Sequence, residues 1–494
     1  MKKTRTLTNV IFQTLYQVLN TCLPLLTAPF LSRVLGSEQL GIYSYTSSIV
    51  SIFALFAMLG TVNYGTRSIS TCGEDKEFRS KCFWEIYLFQ ILSTLISACF
   101  FLFYLFVFVK DNFIILFIQT ITFLSCLTDI NWLFFGCEKF KITITRNFII
   151  RIITVLLIIL LVRTKSDLWI YVLLMVASTL ISNLLLWLYA FKLIHFKHVD
   201  LKALKKHVKP NLYLFVPLLA MSFYHIMDRT FLGILSTNEE SGYYYNADKI
   251  VNIPIGVLSG FGTVMLPKMS KLIEDNKTKE AFKVLSLSLE GVFVMAIAMA
   301  LGISSVSKEF VPVFFGSGFD PCVLLIIVLS PVLLVKGISN TIRSQYLIPL
   351  HKEKVFIISV FGGALANIVL DICLIPYYGA LGAVIGTLAA EIIAMVIQIF
   401  SLKKYVSIGS LCIKMLVYAS FGAIMIVSVR LVSLLPFLIW VKLLVEFFVG
   451  ALVYCSLVLL YWRFSKSIVY SEVIIPYFFK SRKGKYVCES TNDN

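Results

Sequence analysis

Apolar stretches of about twenty residues recur from near Leu7 to Trp462, and the polar links between them alternate between basic and nearly charge-free. Some 18 or more apolar residues in succession read as a membrane-spanning helix, because about 20 residues rising ~1.5 Å each cross ~30 Å of hydrocarbon. The pattern predicts about fourteen spans: 8–32, 42–62, 83–109, 112–135, 148–162, 169–191, 212–235, 243–266, 284–306, 320–338, 355–375, 379–402, 411–431 and 437–462. With the N-terminus inside, the cytoplasmic links hold roughly three-quarters of the 44 Lys and Arg, which is the positive-inside asymmetry. Both termini are therefore expected in the cytoplasm, with 463–494 a cytoplasmic tail. The start, Met1 to Arg5 followed by apolar residues, imitates a secretory signal. It is too long and lacks a small-residue exit before Arg33, so it reads as the first helix.

Composition agrees with an all-α integral membrane protein. Apolar residues make up 59% and charged residues 14%, with a mean hydropathy of +0.88. A soluble chain lies nearer ~45–50% and ~25%. The net charge of +17 invites a nucleic-acid reading, but its placement in alternate links assigns it to topology, so no nucleic-acid partner is expected. Eleven scattered cysteines show neither a disulfide framework nor zinc-site spacing. P-loop, HExxH and GxSxG patterns are absent, and the links run to about twenty residues at most. An enzyme is not expected. A membrane glycosyltransferase or polymerase, which would need a larger loop or domain, is the most distant alternative.

Two segments 201 residues apart match in kind. Ser37, Gly41, Tyr43, Ile49, Val50 and Ile52 correspond to Asn238, Gly242, Tyr244, Ile250, Val251 and Ile253. Each segment is an outer turn leading into a helix, and six spans separate them, so both copies have the same orientation. Parallel repeats related by an axis along the membrane normal follow. Spans 1–6 (1–211) and 7–12 (212–404) are expected as two six-helix lobes, with spans 13 and 14 (405–462) appended. Two facing lobes are what alternating access requires.

The sequence resembles a Wzx-type flippase for polysaccharide or O-antigen repeat units, in the multidrug/oligosaccharidyl-lipid/polysaccharide exporter superfamily. The resemblance is carried by Pro29–Gly36 with Gly41–Tyr45, by Asp129–Phe140, and by Ser241–Ile250, Met265–Ser270 and Gln345–Pro349. Gly379–Thr387 and Glu391 complete it. It implies a two-lobe transporter of the bacterial cytoplasmic membrane. Such a transporter would move undecaprenyl-pyrophosphate-linked oligosaccharide across the membrane for capsule or O-antigen assembly. Membrane lipids, a polysaccharide polymerase and chain-length proteins are the implied partners. A cation-coupled drug antiporter and a lipid II flippase of the same superfamily are the nearer alternatives.

An ionisable residue inside a span costs ~2.5–3.5 kcal/mol or more, so it faces a wet cavity or a partner. Asp228 and Arg229 on span 7, and Asp248 and Lys249 on span 8, fit either description: an ion pair between spans, such as Asp228 with Lys249, or a cation gripping pyrophosphate. Arg suits phosphate because its planar fork donates two hydrogen bonds. Arg33 at the end of span 1 and Arg67 after span 2 are further substrate-binding candidates, with helix-end snorkelling as the plain alternative. His225 reads as a packing residue. Asp129 is expected to pair with Arg146 or Arg151, and Trp132 to anchor at the interface. The pairs Gly256/Gly260 and Gly382/Gly386 read as sites of close helix packing.

Four oxygen-bearing side chains fall at similar depth in spans 7, 11 and 12: Asp228, Asn367, Asp371 and Thr387. Two carboxylates, an amide and a hydroxyl form a hard-oxygen set suited to an alkali cation. Their types and spacing resemble the sodium site of lipid II flippases, and that resemblance adds the Ala383 carbonyl. Na⁺ is thus the implied coupling ion. Proton coupling through Asp371 or Glu391, and a purely structural Asp371 near Pro376, remain open.

Overall fold

The computed structural model describes residues 2–73, 75–198, 204–403 and 405–465. Side chains are described from residue 25 onward, except at 217, 220, 223–225, 261, 263 and 264. His225 therefore lies outside the described side chains, and most of the expected tail lies outside the described residues. Helices occupy every predicted span. Among the described residues, twelve helical segments are long and apolar enough to cross a membrane. The chain is a multi-pass, all-helical membrane protein.

Spans 1 and 2 run almost without interruption through Lys2–Met58. The break is Gly36, at φ 78 and ψ 176, a conformation that a side chain disfavours. The link between these spans therefore shrinks to one glycine. Span 10 differs from expectation at its far end. It comprises Pro321–Leu329, Val332–Ile342 and a π-helical turn over Arg343–Leu347, so Arg343 lies on the helix and not in a link.

The chain divides into two compact units. One holds the described residues of Met1–Gly256, with Phe314–Leu329 and Ile357–Ala394; the other holds those of Val257–Val313, Ser330–Phe356 and Met395–Asn494. In the first unit, spans 2, 3 and 4 bury Ile49, Val50, Phe101, Leu105, Leu116 and Phe123 against one another. Small polar residues let spans 2 and 3 approach: Ser93 Oγ donates to the Ala57 carbonyl and Ser97 Oγ to that of Phe53, each at 2.6 Å.

Span 4 is a broken helix of three pieces, Phe113–Gln119, Ile121–Thr128 and Asn131–Gly136. A break in the membrane frees carbonyls that water cannot reach, so protein must satisfy them. Gln90 on span 3 does this, donating from Nε2 to Cys126 O at 2.6 Å and Asp129 O at 2.8 Å. Its Oε1 accepts from Trp132 Nε1 at 3.0 Å. Trp132 is accordingly buried, where an interfacial position was expected. Its ring lies over Gly65, where an added Cβ would come within 2.6 Å. Asp129, between the last two pieces, accepts from the backbone and side chain of Asn131 at 2.9 and 2.7 Å. Arg146 Nη2 donates to Asn131 Oδ1 at 3.1 Å, so the same amide links Arg146 to Asp129.

The second unit is cored by Leu285, Leu289, Phe293, Ile338, Met425 and Val458. Buried Glu290 accepts from Lys414 Nζ at 2.6 Å and Tyr418 Oη at 2.7 Å, which ties span 13 to span 9. Phe100, Phe103 and Phe106 on span 3, and Leu444, Phe447 and Phe448 on span 14, stay exposed, as a lipid-facing surface requires.

Candidate functional site

Asp228 and Arg229 are consecutive on span 7, so they point about 100° apart and serve different neighbours. Asp228 is fully buried. Its Oδ1 accepts from Asn367 Nδ2 at 2.9 Å, and its Oδ2 accepts from Tyr244 Oη at 2.5 Å and Thr387 Oγ1 at 2.7 Å. Asn367 and Asp371 stand one turn apart on span 11, and Asn367 Nδ2 lies 3.4 Å from Asp371 Oδ1. Thr387 stands one turn from Ala383 on span 12, with its hydroxyl 3.0 Å from the Ala383 carbonyl oxygen.

Span 12 approaches this cluster because Gly386 has no side chain: a Cβ there would lie 2.3 Å from Asp371 Oδ1. Gly382 acts in the same way a turn earlier, where a Cβ would lie 2.7 Å from the Leu374 carbonyl carbon. The Gly382/Gly386 pair thus packs span 12 on span 11 as expected. Among the described residues, nothing lies within 4 Å of a Cβ placed on Gly260.

All four predicted oxygen donors meet in one buried cluster, together with the Ala383 carbonyl. Asn367 Oδ1 and Asp371 Oδ2 are buried there and accept no hydrogen bond. Two carboxylates joined by one amide repel each other unless positive charge lies near. Unpartnered buried oxygens in a hard-oxygen set fit an alkali cation. Glu391, one turn further along span 12, is buried.

Arg229 turns the other way. Its Nη2 donates to Asp248 Oδ2 at 2.8 Å, and its guanidinium lies over the Tyr245 ring, 5.2 Å from the centroid. Lys249 Nζ lies 4.2 Å from the centroid of the same ring. The ion pair imagined between Asp228 and Lys249 is therefore replaced by Arg229 with Asp248. The reason is helical register: Tyr245 and Lys249 are four residues apart on one face, so Lys249 folds onto the ring.

The four predicted cations fall at three places. Arg229 and Lys249 share Tyr245. Arg33 is exposed and runs its stem past Gly316, where a Cβ would meet its Cγ at 3.0 Å. Arg67 is exposed and lines a cavity of about 450 Å³ with Tyr64, Lys209 and Tyr213. Beside this cavity, Tyr64 Oη lies 2.7 Å from His207 Nδ1, and His207 Nε2 lies 3.1 Å from buried Glu85. Burial holds the His207 pKa below the ordinary imidazole value, against the opposing pull of Glu85.

Sequence reasoning missed Tyr244 as a partner of Asp228. It also missed Ser47 and Ser51, which share a cavity with Arg229 and Asp248. The signal for all three lay in the repeat, which carries Tyr43 onto Tyr244, Ser47 onto Asp248 and Ser51 onto Asn252.

The fold is that of a polytopic transporter. It matches the lipid II flippase MurJ in an inward closed conformation with a TM-score of 0.73 at 18% identity, over 94% of this chain and 99% of that one. A multidrug resistance MATE family transporter of the MOP superfamily, in its inward-facing conformation, gives 0.59 at 13% identity, over 79% and 96%. Residues 6–273 match the family described as Polysaccharide biosynthesis protein, and the chain belongs to that family. It is similar to the "Putative O-antigen transporter" of Escherichia coli (strain K12), being 24% identical over 393 residues, 78% of this chain and 93% of that protein. The Wzx-type resemblance read from the motifs is borne out by the family match and by the O-antigen transporter relative.

Proposed function

We propose that this protein is a flippase. It moves undecaprenyl-pyrophosphate-linked oligosaccharide repeat units from the inner to the outer leaflet of the bacterial cytoplasmic membrane, for capsule or O-antigen assembly. The observation that carries this reading is the family match together with the likeness to an O-antigen transporter along 93% of that protein. The charged residues fit it. Arg229, Asp248 and Lys249 sit within apolar helices, where charge is retained only if it is used or paired. A drug antiporter is less well supported, because the cluster carries both signs of charge. The work is transport without covalent chemistry, and both termini lie in the cytoplasm. The polymerase and chain-length proteins of the same assembly process are the natural partners for its product.

Entry of the anionic head from the inner face is assigned to the cavity lined by Arg67 and Lys209, where two cations meet two tyrosines. For energy coupling, Asp228, Asn367, Asp371 and Thr387, with the Ala383 carbonyl, would hold a sodium ion. When bound, that ion supplies a gradient to reset the transporter. Asp228 is the residue that joins the helices, since it bonds to spans 8, 11 and 12 at once. Proton binding by Asp371 or Glu391 is the second reading, motivated by the shared carboxylate environment.

Gene deletion tests the central claim. Complete lipid-linked repeat units should accumulate in the inner leaflet. Accumulation in the outer leaflet would place the defect after flipping and reject the proposal.

A further inference from the structure

We infer that the cavity between spans 2, 7 and 8 is a sugar subsite, taking a hydroxyl-bearing monosaccharide unit and excluding the pyrophosphate. The inference rests on the flippase reading above and names which portion of the substrate this cavity holds. The cavity measures about 210 Å³ and is lined by Ser47 and Ser51 on one wall and by Asp248, Asn252 and Arg229 on the others. The internal repeat builds it. Ser47 faces the same space as its equivalent, Asp248, and Ser51 the same space as Asn252.

The donors and acceptors are specific in type. Ser47 Oγ donates its hydrogen to Ser44 O at 3.1 Å, and Ser51 Oγ donates to Ser47 O at 2.7 Å. Each hydroxyl has one hydrogen, so both serines offer a ligand only lone pairs. Asp248 is an acceptor and carries negative charge; its Oδ1 takes Asn252 Nδ2 at 2.6 Å and its Oδ2 takes Arg229. Donors come from Arg229, whose Nε is buried without a hydrogen-bond partner. A pyrophosphate has acceptors only. It would meet serine lone pairs and the Asp248 carboxylate, and the Arg229 charge is already matched by Asp248. A sugar hydroxyl both donates and accepts, so neighbouring hydroxyls on one ring satisfy both walls. A compact polar cavity of this kind fixes orientation and discriminates by hydrogen bonding, because an analogue without the matching hydroxyl leaves buried groups unpaired.

The test compares two ligands on the purified full-length protein in lipid nanodiscs. One is undecaprenyl pyrophosphate without sugar; the other is the lipid-linked oligosaccharide extracted from the host. The variants are Ser47→Ala with Ser51→Ala, which leaves the Arg229–Asp248 pair intact, and Ser51→Leu, which fills the cavity. Thermal unfolding of each variant checks that it is folded, and the small Ser→Ala changes serve if the larger one is not. The expected result is about tenfold or more weaker binding of the glycolipid, as lost hydrogen bonds predict, with sugarless lipid binding unchanged. Equal weakening for both ligands would assign the cavity to the pyrophosphate and overturn the inference. Unchanged glycolipid binding in both folded variants would also overturn it while leaving the flippase reading intact. Wild-type protein that binds neither ligand would reject the flippase reading, and the sugar subsite with it.

Discussion

Gly41 and Gly242, equivalent positions of the internal repeat, meet across each other's backbone. A Cβ on Gly41 would lie 1.6 Å from Asn238 O, and a Cβ on Gly242 would lie 1.9 Å from Ser37 O. Neither clash involves a movable side chain, so neither is relieved by a rotamer change. The predicted outer ends of spans 2 and 8 are thus pressed together where the repeat copies face. Gly41→Val or Gly242→Val should force them apart and hold that end open. We expect export of lipid-linked repeat units to fall by at least about tenfold. A cysteine introduced at Ser37 or Asn238 should also react faster with a membrane-impermeant thiol reagent. Normal export by both variants would refute the role of this contact.

Sodium dependence is the expected signature of the Asp228 cluster. Transport by purified protein in vesicles should require a sodium gradient. Asp371→Asn should abolish that dependence, because it removes one of two carboxylates from the set. Gly386→Val should mimic it by driving a side chain into Asp371. Transport that continues unchanged when choline replaces sodium, at fixed pH and voltage, would rule out sodium coupling.

Topology follows from the charge pattern. In a background without reactive natural cysteines, cysteines placed at Asn238 and Lys308 should label from outside the cell, and one at Asn494 should not. Labelling at Asn494 from outside would invert the C-terminus and reject fourteen spans.

Gln90 should be a large contributor to stability for a single polar side chain. Gln90→Leu takes the Nε2 donor from the Cys126 and Asp129 carbonyls and the acceptor from the Trp132 indole N–H in a buried site, leaving Cys126 O with the long 3.4 Å bond from Asp129 N–H. The expected loss is about 2–4 kcal/mol, read by thermal unfolding in detergent. A change within about 0.5 kcal/mol would mean that the broken helix finds other partners.

The helical spans, their order and the expected topology follow from the sequence, because crossing ~30 Å of hydrocarbon imposes length and apolarity on every span. The repeat was legible too, since Gly41 and Gly242 recur at the same point of each half. So were Asp228, Asn367, Asp371 and Thr387, because their places along spans 7, 11 and 12 put four oxygen-bearing side chains at similar depth. Partner choice was decided only by the tertiary structure. Neither spacing nor composition says that Asp228 takes Tyr244, that Arg229 takes Asp248, or that Trp132 hides behind Gln90. Those pairings depend on helix rotation and on glycines such as Gly65 and Gly386, whose missing side chains set how closely neighbouring elements approach. A linear pattern records depth along each helix, but the angle at which one helix meets the next is set by packing against all its neighbours at once.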